Sequence, residues 1–324
     1  MNKTINWGIL GLGRIAEKFA NDLQFVPNAR LYAVGSREKE KANNFGKKYG
    51  AVKFYGSYEE MLADKELDVV YIATPHVLHC ENTLQCLRAG KAVLCEKPFA
   101  MDETQVKLMI AEAKKQNLFL MEALWTTFLP TILKVEELIA AGTLGDIIHI
   151  KSDFGYKALY DVNWRLFNKK LGGGSLLDIG IYPIFIALHI LGIPDKIISD
   201  AFVGETDVDE SMVMAFKYNS GATASLSSSL VTNTPVETDI CGTKARIKIH
   251  RMWHIPTYLT LTSNEGQEQE FHFDTKGFGY EYEAMEVTNC LLEGKKESAK
   301  MTHDFSLKLI KTLDKIRLQN GLVY

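Results

Sequence analysis

Short apolar runs separated by amphipathic, charged stretches pattern the first 120 residues. Residues 5–10 read as a strand, a glycine turn follows, and the spacing predicts a helix over 14–25. Residues 30–34 form a second strand ahead of a helix rich in Lys and Glu. The run 68–73 (DVVYIA) is nearly all apolar, as a strand covered on both faces must be. A helix over 78–88 closed by Gly90, a strand at 92–95, a helix over 104–116 and a strand at 118–121 complete the series. This alternation predicts an α/β unit with a doubly wound parallel sheet over residues 1–123.

From residue 124 the pattern changes. A helix over 130–141 ends at Gly142, and strand-like runs follow at 147–154, 211–218, 222–230 and 245–250. Turns such as Asn219-Ser220-Gly221 between neighbouring runs predict a mostly antiparallel sheet, hence an α+β domain over 124–324. One apolar helix over 180–191 interrupts the strands, and another over 304–319 closes the chain. The most apolar stretch, 179–194, is broken by Tyr182, Pro183 and His189 and falls short of the ~20 residues of a membrane span, so it reads as a buried helix.

Composition sharpens this little. The chain has 324 residues, which favours two domains over one core. With 37 basic against 40 acidic residues and a net charge of −3, nothing asks for a nucleic-acid or membrane partner. The five cysteines (Cys80, Cys86, Cys95, Cys241, Cys290) form no C-x-x-C pair, and the N-terminus has no apolar leader. Both features lead to the expectation of a cytoplasmic protein with reduced thiols.

Three motifs carry chemistry. Gly11-Leu12-Gly13-Arg14-Ile15-Ala16 fits G-x-G-x-x-G/A between a strand and a helix: the glycines allow a tight turn and close approach of a pyrophosphate to the helix N-terminus. A purely structural glycine turn is the alternative. The second strand ends in Ser36 and Arg37, with no carboxylate for the ribose hydroxyls of NAD. A hydroxyl and a guanidinium suit the 2′-phosphate of NADP, with NAD still possible if Glu38 takes the acidic role. Glu96-Lys97-Pro98 follows a buried strand, where open α/β sheets bind ligands; Lys97 could hold a substrate hydroxyl or belong to an ordinary charged loop. Asp178 and Tyr182, after Gly172-Gly173-Gly174, are i and i+4 on a predicted helix, so they share a face. Asp178 as an N-cap and Tyr182 as core are the plain alternatives. His76, His79 and Cys80 lack a convincing fourth ligand, so no metal is expected. Tyr49 and Lys53 have Y-x-x-x-K spacing but lie too early to act.

The joint occurrence of GLGRIA, ATPHVLH (73–79), CEKP (95–98) and GGGSLLDIGIY (172–182) resembles the glucose–fructose oxidoreductase/inositol dehydrogenase (Gfo/Idh/MocA) family. Within it, Glu122-Ala123-Leu124-Trp125-Thr126, the Cys before EKP, Tyr182 and Gly242-Thr243-Lys244-Ala245 resemble the dimeric dihydrodiol dehydrogenases and their NADP-dependent D-xylose dehydrogenase relatives. The resemblance implies an NAD(P)-binding Rossmann domain followed by an open sheet that mediates homodimerisation. It implies that Lys97 and Tyr182, with Asp178, serve proton transfer. It assigns Gly11, Gly13, Arg14, Ile15, Ser36, Arg37, Thr74, Pro75, His76, His79, Glu96, Lys97, Trp164 and Arg165 to the cofactor, and Trp125, Phe154, Trp253 and Phe278 to the substrate pocket. The expected reaction is hydride transfer between nicotinamide and a hydroxyl or carbonyl carbon of a small neutral sugar or vicinal diol. A non-catalytic NADP sensor and an anhydro-sugar or other carbonyl reductase are the competing expectations. Many members have Asn at the position of His76, and close relatives have Arg at that of Thr127.

Overall fold

The computed structural model describes residues 3–324 as two compact units, the first running to Phe128 and resuming over Thr275–Leu307, the second comprising Leu129–Asp274 and Lys308–Tyr324. In chain order the first unit starts β1 (Ile5–Leu10), α1 (Arg14–Leu23), β2 (Ala29–Gly35), α2 (Lys39–Tyr49), β3 (Lys53–Tyr55), α3 (Tyr58–Leu62) and β4 (Val69–Ile72). It continues with α4 (His79–Arg88), β5 (Ala92–Glu96), α5 (Glu103–Gln116) and β6 (Leu120–Ala123). The sheet order is β3-β2-β1-β4-β5-β6, all parallel, so the strand order reverses beside β1 and creates a crevice at the strands' carboxyl ends. Every residue of β1, β4 and β5 is buried, which explains their unbroken apolar runs. On α1 the buried Ala16, Phe19, Ala20 and Leu23 recur at helical spacing and form the stripe facing the sheet. The Asp102 carboxylate caps α5 by accepting the Gln105 N–H at 2.8 Å, and Asn117 ends it in the left-handed conformation.

The second unit starts with α6 (Pro130–Ala140), β7 (Ile147–Gly155), α7 (Ile181–Leu191), β8 (Lys196–Val203), β9 (Asp209–Lys217) and β10 (Thr223–Ser229). It goes on through β11 (Thr238–Gly242), β12 (Ala245–Ile249), β13 (Leu259–Ser263) and β14 (Glu268–Phe271). These strands make one eight-stranded sheet, β14-β13-β12-β11-β7-β10-β9-β8, antiparallel except for the β7–β10 pair. Helix α7 covers one face and is buried from Ile181 to Leu188. Lys169–Leu191 is apolar and long enough to pass for a membrane span, but 83% of its apolar window lies inside the fold, where it serves as the core helix of this unit. On β9, Met212, Met214 and Phe216 point into the core while Val213 is 60% exposed.

The chain then returns to the first unit through α8 (Tyr280–Leu292) before α9 (His303–Gln319), whose residues from Lys308 on belong to the second. Helix α8 packs on α1 and β1. The Trp7 indole donates to Thr288 at 3.2 Å, and Asp22 accepts the N–H groups of Phe278 and Tyr280 at 2.7 and 3.0 Å. The division expected at 123/124 therefore differs from the structure in two ways. The first stretch runs on to Phe128, and 275–307, expected in the second domain, complete the first unit because α8 covers apolar surface that β1 and α1 leave open. Periodicity within a segment carries no trace of such a return.

Candidate active site

The first glycine motif forms the turn between β1 and α1. Gly11 has φ +92°, and a Cβ there would lie 2.8 Å from the Ala73 carbonyl carbon and the Thr74 nitrogen. Gly13 is the N-cap of α1, gives it no side-chain cap, and has nothing within 4 Å of where its Cβ would be. The first N–H groups of α1 thus lack a side-chain partner beside open space, flanked by exposed Arg14 and Ile15, and this cradle fits a pyrophosphate. Ala16 is fully buried, so the helix sits close on the sheet. At the tip of β2, the buried Ser36 accepts the Glu38 N–H at 3.2 Å, and Arg37 is exposed near the Tyr58 phenol. No carboxylate occupies the tip itself, and the hydroxyl and guanidinium there fit a ribose 2′-phosphate.

Two further loops at the carboxyl edge of this sheet are tied together. Thr74 is buried, with its hydroxyl accepting from Asn82 at 2.9 Å, and exposed Pro75 and buried His76 follow. His79, expected on the cofactor, is 1% exposed; its Nδ1 lies 2.8 Å from the Pro98 carbonyl and its Nε2 2.9 Å from that of Thr74. Both ring nitrogens serve the backbone, so His79 holds the loop after β4 to the loop after β5. The Glu96 carboxylate accepts the Tyr71 hydroxyl and the Lys97 N–H, and Tyr71 in turn stacks on Phe19 at 3.7 Å. Lys97 is half-buried and joined to Pro98 by a cis peptide. The next N–H, of Phe99, donates to Glu122 at 2.9 Å. Burial lifts the Glu122 carboxyl to about 7, with the nearby Glu96 charge adding to this and Lys97, the Phe99 N–H and the Ser306 hydroxyl opposing it. Glu283 on α8 is also fully buried, and burial, then the Glu96 charge, pushes its carboxyl far above the ordinary range. Trp125, in a 3₁₀ turn over Trp125–Phe128, stacks on Tyr280 at 4.2 Å. Phe278 is 49% exposed with the Lys18 ammonium 5.4 Å from its ring centre.

In the second unit Asp178 is not an N-cap. It lies inside a single π-helical turn, Leu176–Gly180, that runs into α7, and Tyr182 is the second residue of that helix. The Arg165 guanidinium, expected on the cofactor, is 2.8 Å from Asp178 Oδ1. Trp164 is half-buried directly before it. The triglycine leads the chain through a close crossing: a Cβ on Gly173 would meet the Arg165 and Leu166 carbonyls, and one on Gly174, at φ +113°, would collide with the Asp209 carboxylate. These glycines answer to close packing. Around the buried Tyr182 ring stand Phe154 at 5.5 Å, His254 at 5.1 Å and, edge-on, Trp253 at 6.4 Å. Phe154 and His254 are themselves 4.1 Å apart, and the Trp253 indole donates to the Asp153 carbonyl at 3.1 Å.

The structure thus gathers Phe154, Trp253 and Tyr182 in the second unit, beside the Asp178–Arg165 pair, while Trp125, Phe278, Lys97 and the glycine turn belong to the first. Sequence reasoning missed His254, Tyr156, Glu122 and Asp209. Tyr156 lies near Asp178 and Arg165, and burial, then the Asp178 charge, pushes its phenol up. It is two residues beyond Phe154, so strand alternation could have found it. His254 sits in an irregular loop where no period applies.

Comparison with known proteins gives the same picture. Residues 5–124 match the oxidoreductase family model for an NAD-binding Rossmann fold, and 132–248 match the GFO/IDH/MocA C-terminal domain. The chain is 37% identical over 330 residues to the trans-1,2-dihydrobenzene-1,2-diol dehydrogenase of Xenopus tropicalis, covering 98% of each chain. It is 35% identical to the human enzyme of that name, over 99% of this chain and 98% of that one. Among solved structures, a 3-ketoreductase from Actinomadura kijaniata in complex with NADP and TDP-benzene superposes with a TM-score of 0.88 at 25% identity, over 98% of both chains. An aldose–aldose oxidoreductase from Caulobacter crescentus, complexed with glycerol, gives 0.88 at 26% identity, again over 98% of both.

Proposed function

This chain belongs to the GFO/IDH/MocA oxidoreductase family, and we propose that its reaction moves hydride between NADP and a hydroxyl- or carbonyl-bearing carbon of a small neutral sugar or vicinal diol. It is an NAD(P)-dependent oxidoreductase; the substrate class and the preference for NADP are the proposal. The observation that carries it is the surround of Tyr182. The phenol stands among Phe154, Trp253 and His254, and the nearest carboxylate of the motif, Asp178, is neutralised by Arg165. Flat aromatic faces with the one motif arginine already paired suit a neutral ring bearing hydroxyls, and they offer no clamp for a carboxylate or phosphate.

When bound, the nicotinamide would supply or accept the hydride. Tyr182 takes the hydroxyl proton during oxidation and returns it during reduction. Lys97, on the turn held by Glu96, Glu122 and His79, is the second residue that the family resemblance assigns to the proton transfer. Asp178, steadied by Arg165, lies one helical turn before Tyr182 and orients that segment. The uncapped start of α1 would hold the pyrophosphate of the cofactor, and Ser36 and Arg37 would hold its 2′-phosphate.

Turnover assays with D-xylose, D-glucose and a trans-dihydrodiol test the reading directly. Lys97→Met and Tyr182→Phe should each lower kcat by ~10²–10⁴-fold with cofactor binding kept. Near-normal turnover in both variants, or activity confined to carboxylate or phosphorylated substrates, refutes it. Cofactor binding without turnover of any sugar or diol favours a sensor instead. The uncovered face of the second sheet, with Ile198, Phe202 and Val213 at 58%, 64% and 60% exposure, supports a homodimer through this sheet. A monomer mass by light scattering at micromolar protein overturns that part.

A further inference from the structure

Asp209 opens β9, is fully buried, and spends its carboxylate on a different element. Its Oδ2 accepts the Ser175 hydroxyl at 2.8 Å and the Leu176 N–H at 2.6 Å, and its Oδ1 accepts the Tyr324 hydroxyl at 3.2 Å. Ser175 Oγ also lies 2.9 Å from Ser228 Oγ on β10, so the anchor is built from two adjacent strands. Leu176 starts the π turn that carries Asp178. Its N-cap residue, Ser175, provides no side-chain cap, and the donor that such a turn leaves over goes to Asp209. Gly174 has no Cβ where one would strike this carboxylate. A single π turn changes the rotational phase of everything after it, and such turns occur frequently at functional sites.

We propose that Asp209 is a positioning residue for proton transfer: by gripping Ser175 and Leu176 it sets the phase of the π turn, and so the aim of Asp178 and Tyr182. This rests on the proton-transfer role given to Tyr182. Asp209 touches no reacting group in this reading and acts only through the segment it holds. Burial lifts its carboxyl to about 6, against the Ser175, Leu176 and Tyr324 donors, which favour the anion. The other groups around it are the Ser175 and Ser228 hydroxyls, the Tyr324 phenol with Arg317 over its ring at 4.8 Å, and Glu210 next along β9. The anion makes the stronger, charge-assisted bonds, so the grip weakens as pH falls through about 6.

The test compares the full-length wild type with Asp209→Asn, which keeps shape and one acceptor, and Asp209→Ala. The substrate is whichever of D-xylose, D-glucose and trans-1,2-dihydrobenzene-1,2-diol the wild type oxidises fastest. We expect Asp209→Asn to lose roughly tenfold and Asp209→Ala roughly a hundredfold in kcat at pH 8, with KM and the NADPH dissociation constant within about twofold. The wild-type kcat should fall toward the Asp209→Asn value as pH drops below about 6, while the Asn variant shows no such limb. Amide hydrogen exchange over Leu176–Tyr182 should rise in Asp209→Asn, and unchanged exchange there overturns the proposal whatever the turnover. An inactive Tyr182→Phe beside an Asp209→Asn with full kcat and the wild-type pH profile also overturns it, leaving the role of Tyr182 standing. A fully active Tyr182→Phe instead removes the premise.

Discussion

Replacing Glu122 by Gln should stabilise the protein above neutral pH and lose that advantage in acid. The carboxyl is 2% exposed, and burial raises it from 4.5 to about 7. The folded chain therefore holds this proton more tightly than the unfolded chain does. Stability from the group is fully present below pH 4.5 and is lost as pH rises through about 7. At ~1.4 kcal/mol per factor of ten in proton affinity, the ionised carboxylate costs the fold about 3 kcal/mol at pH 8. Gln carries no charge and keeps the acceptor for the Phe99 N–H. Its amide nitrogen takes the place of Oε2, which is buried and makes no hydrogen bond of normal geometry although the Ser306 hydroxyl favours the ionised form. That offsets about 1 kcal/mol at every pH, for a net gain of about 2 kcal/mol at pH 8 that vanishes at about pH 5 and turns into a deficit of under about 1 kcal/mol by pH 4.5. Urea unfolding of both proteins at the two pH values measures it, since every other titrating group is common to the pair. A difference between variant and wild type that does not change with pH refutes the argument.

Arg37→Ala should weaken NADP binding by about ten- to a hundredfold and NAD binding by less than about twofold, as read by fluorescence titration; a wild type that binds NAD more tightly than NADP contradicts the assignment. Gly11→Ala forces a Cβ against the Ala73 backbone at φ +92° and should cost about 2 kcal/mol together with most of the cofactor affinity, so an unchanged Tm and dissociation constant would show the turn to be more forgiving than described. Asp102→Ala removes the cap of α5 and should cost about 1 kcal/mol in thermal unfolding with kcat unaltered.

What the sequence reveals is what is local. β1, Gly11 and α1 declare themselves because strand, turn and helix each follow from neighbours within a few residues, and β4 does so because both its faces are buried. β8 escapes because Ile198 and Phe202 stand on its uncovered side, which spoils the expected alternation of apolar and polar residues. β14, with its EQEF sequence, is a polar edge strand. The Asp178–Tyr182 pair is legible by spacing, but the π turn between them is not, because it is held by Asp209 from another strand. The capture of Asp178 by Arg165 joins residues whose partnership only the crossing at Gly173 creates.

Because Thr275–Leu307 complete the first unit, its maturation waits for a segment translated long after β6. A nascent chain ordinarily folds its leading domain while the rest is still being made. Here β1 to β6 leave the ribosome long before α8, and until it arrives the Trp7 indole lacks its Thr288 acceptor and Asp22 lacks the N–H groups of Phe278 and Tyr280. The cofactor-binding half is thus synthesised first and finished late. A ribosome stalled anywhere before residue 275 presents an unclosed α/β layer to chaperones and proteases, and a cut after Phe128 yields a fragment that lacks one of its own core helices.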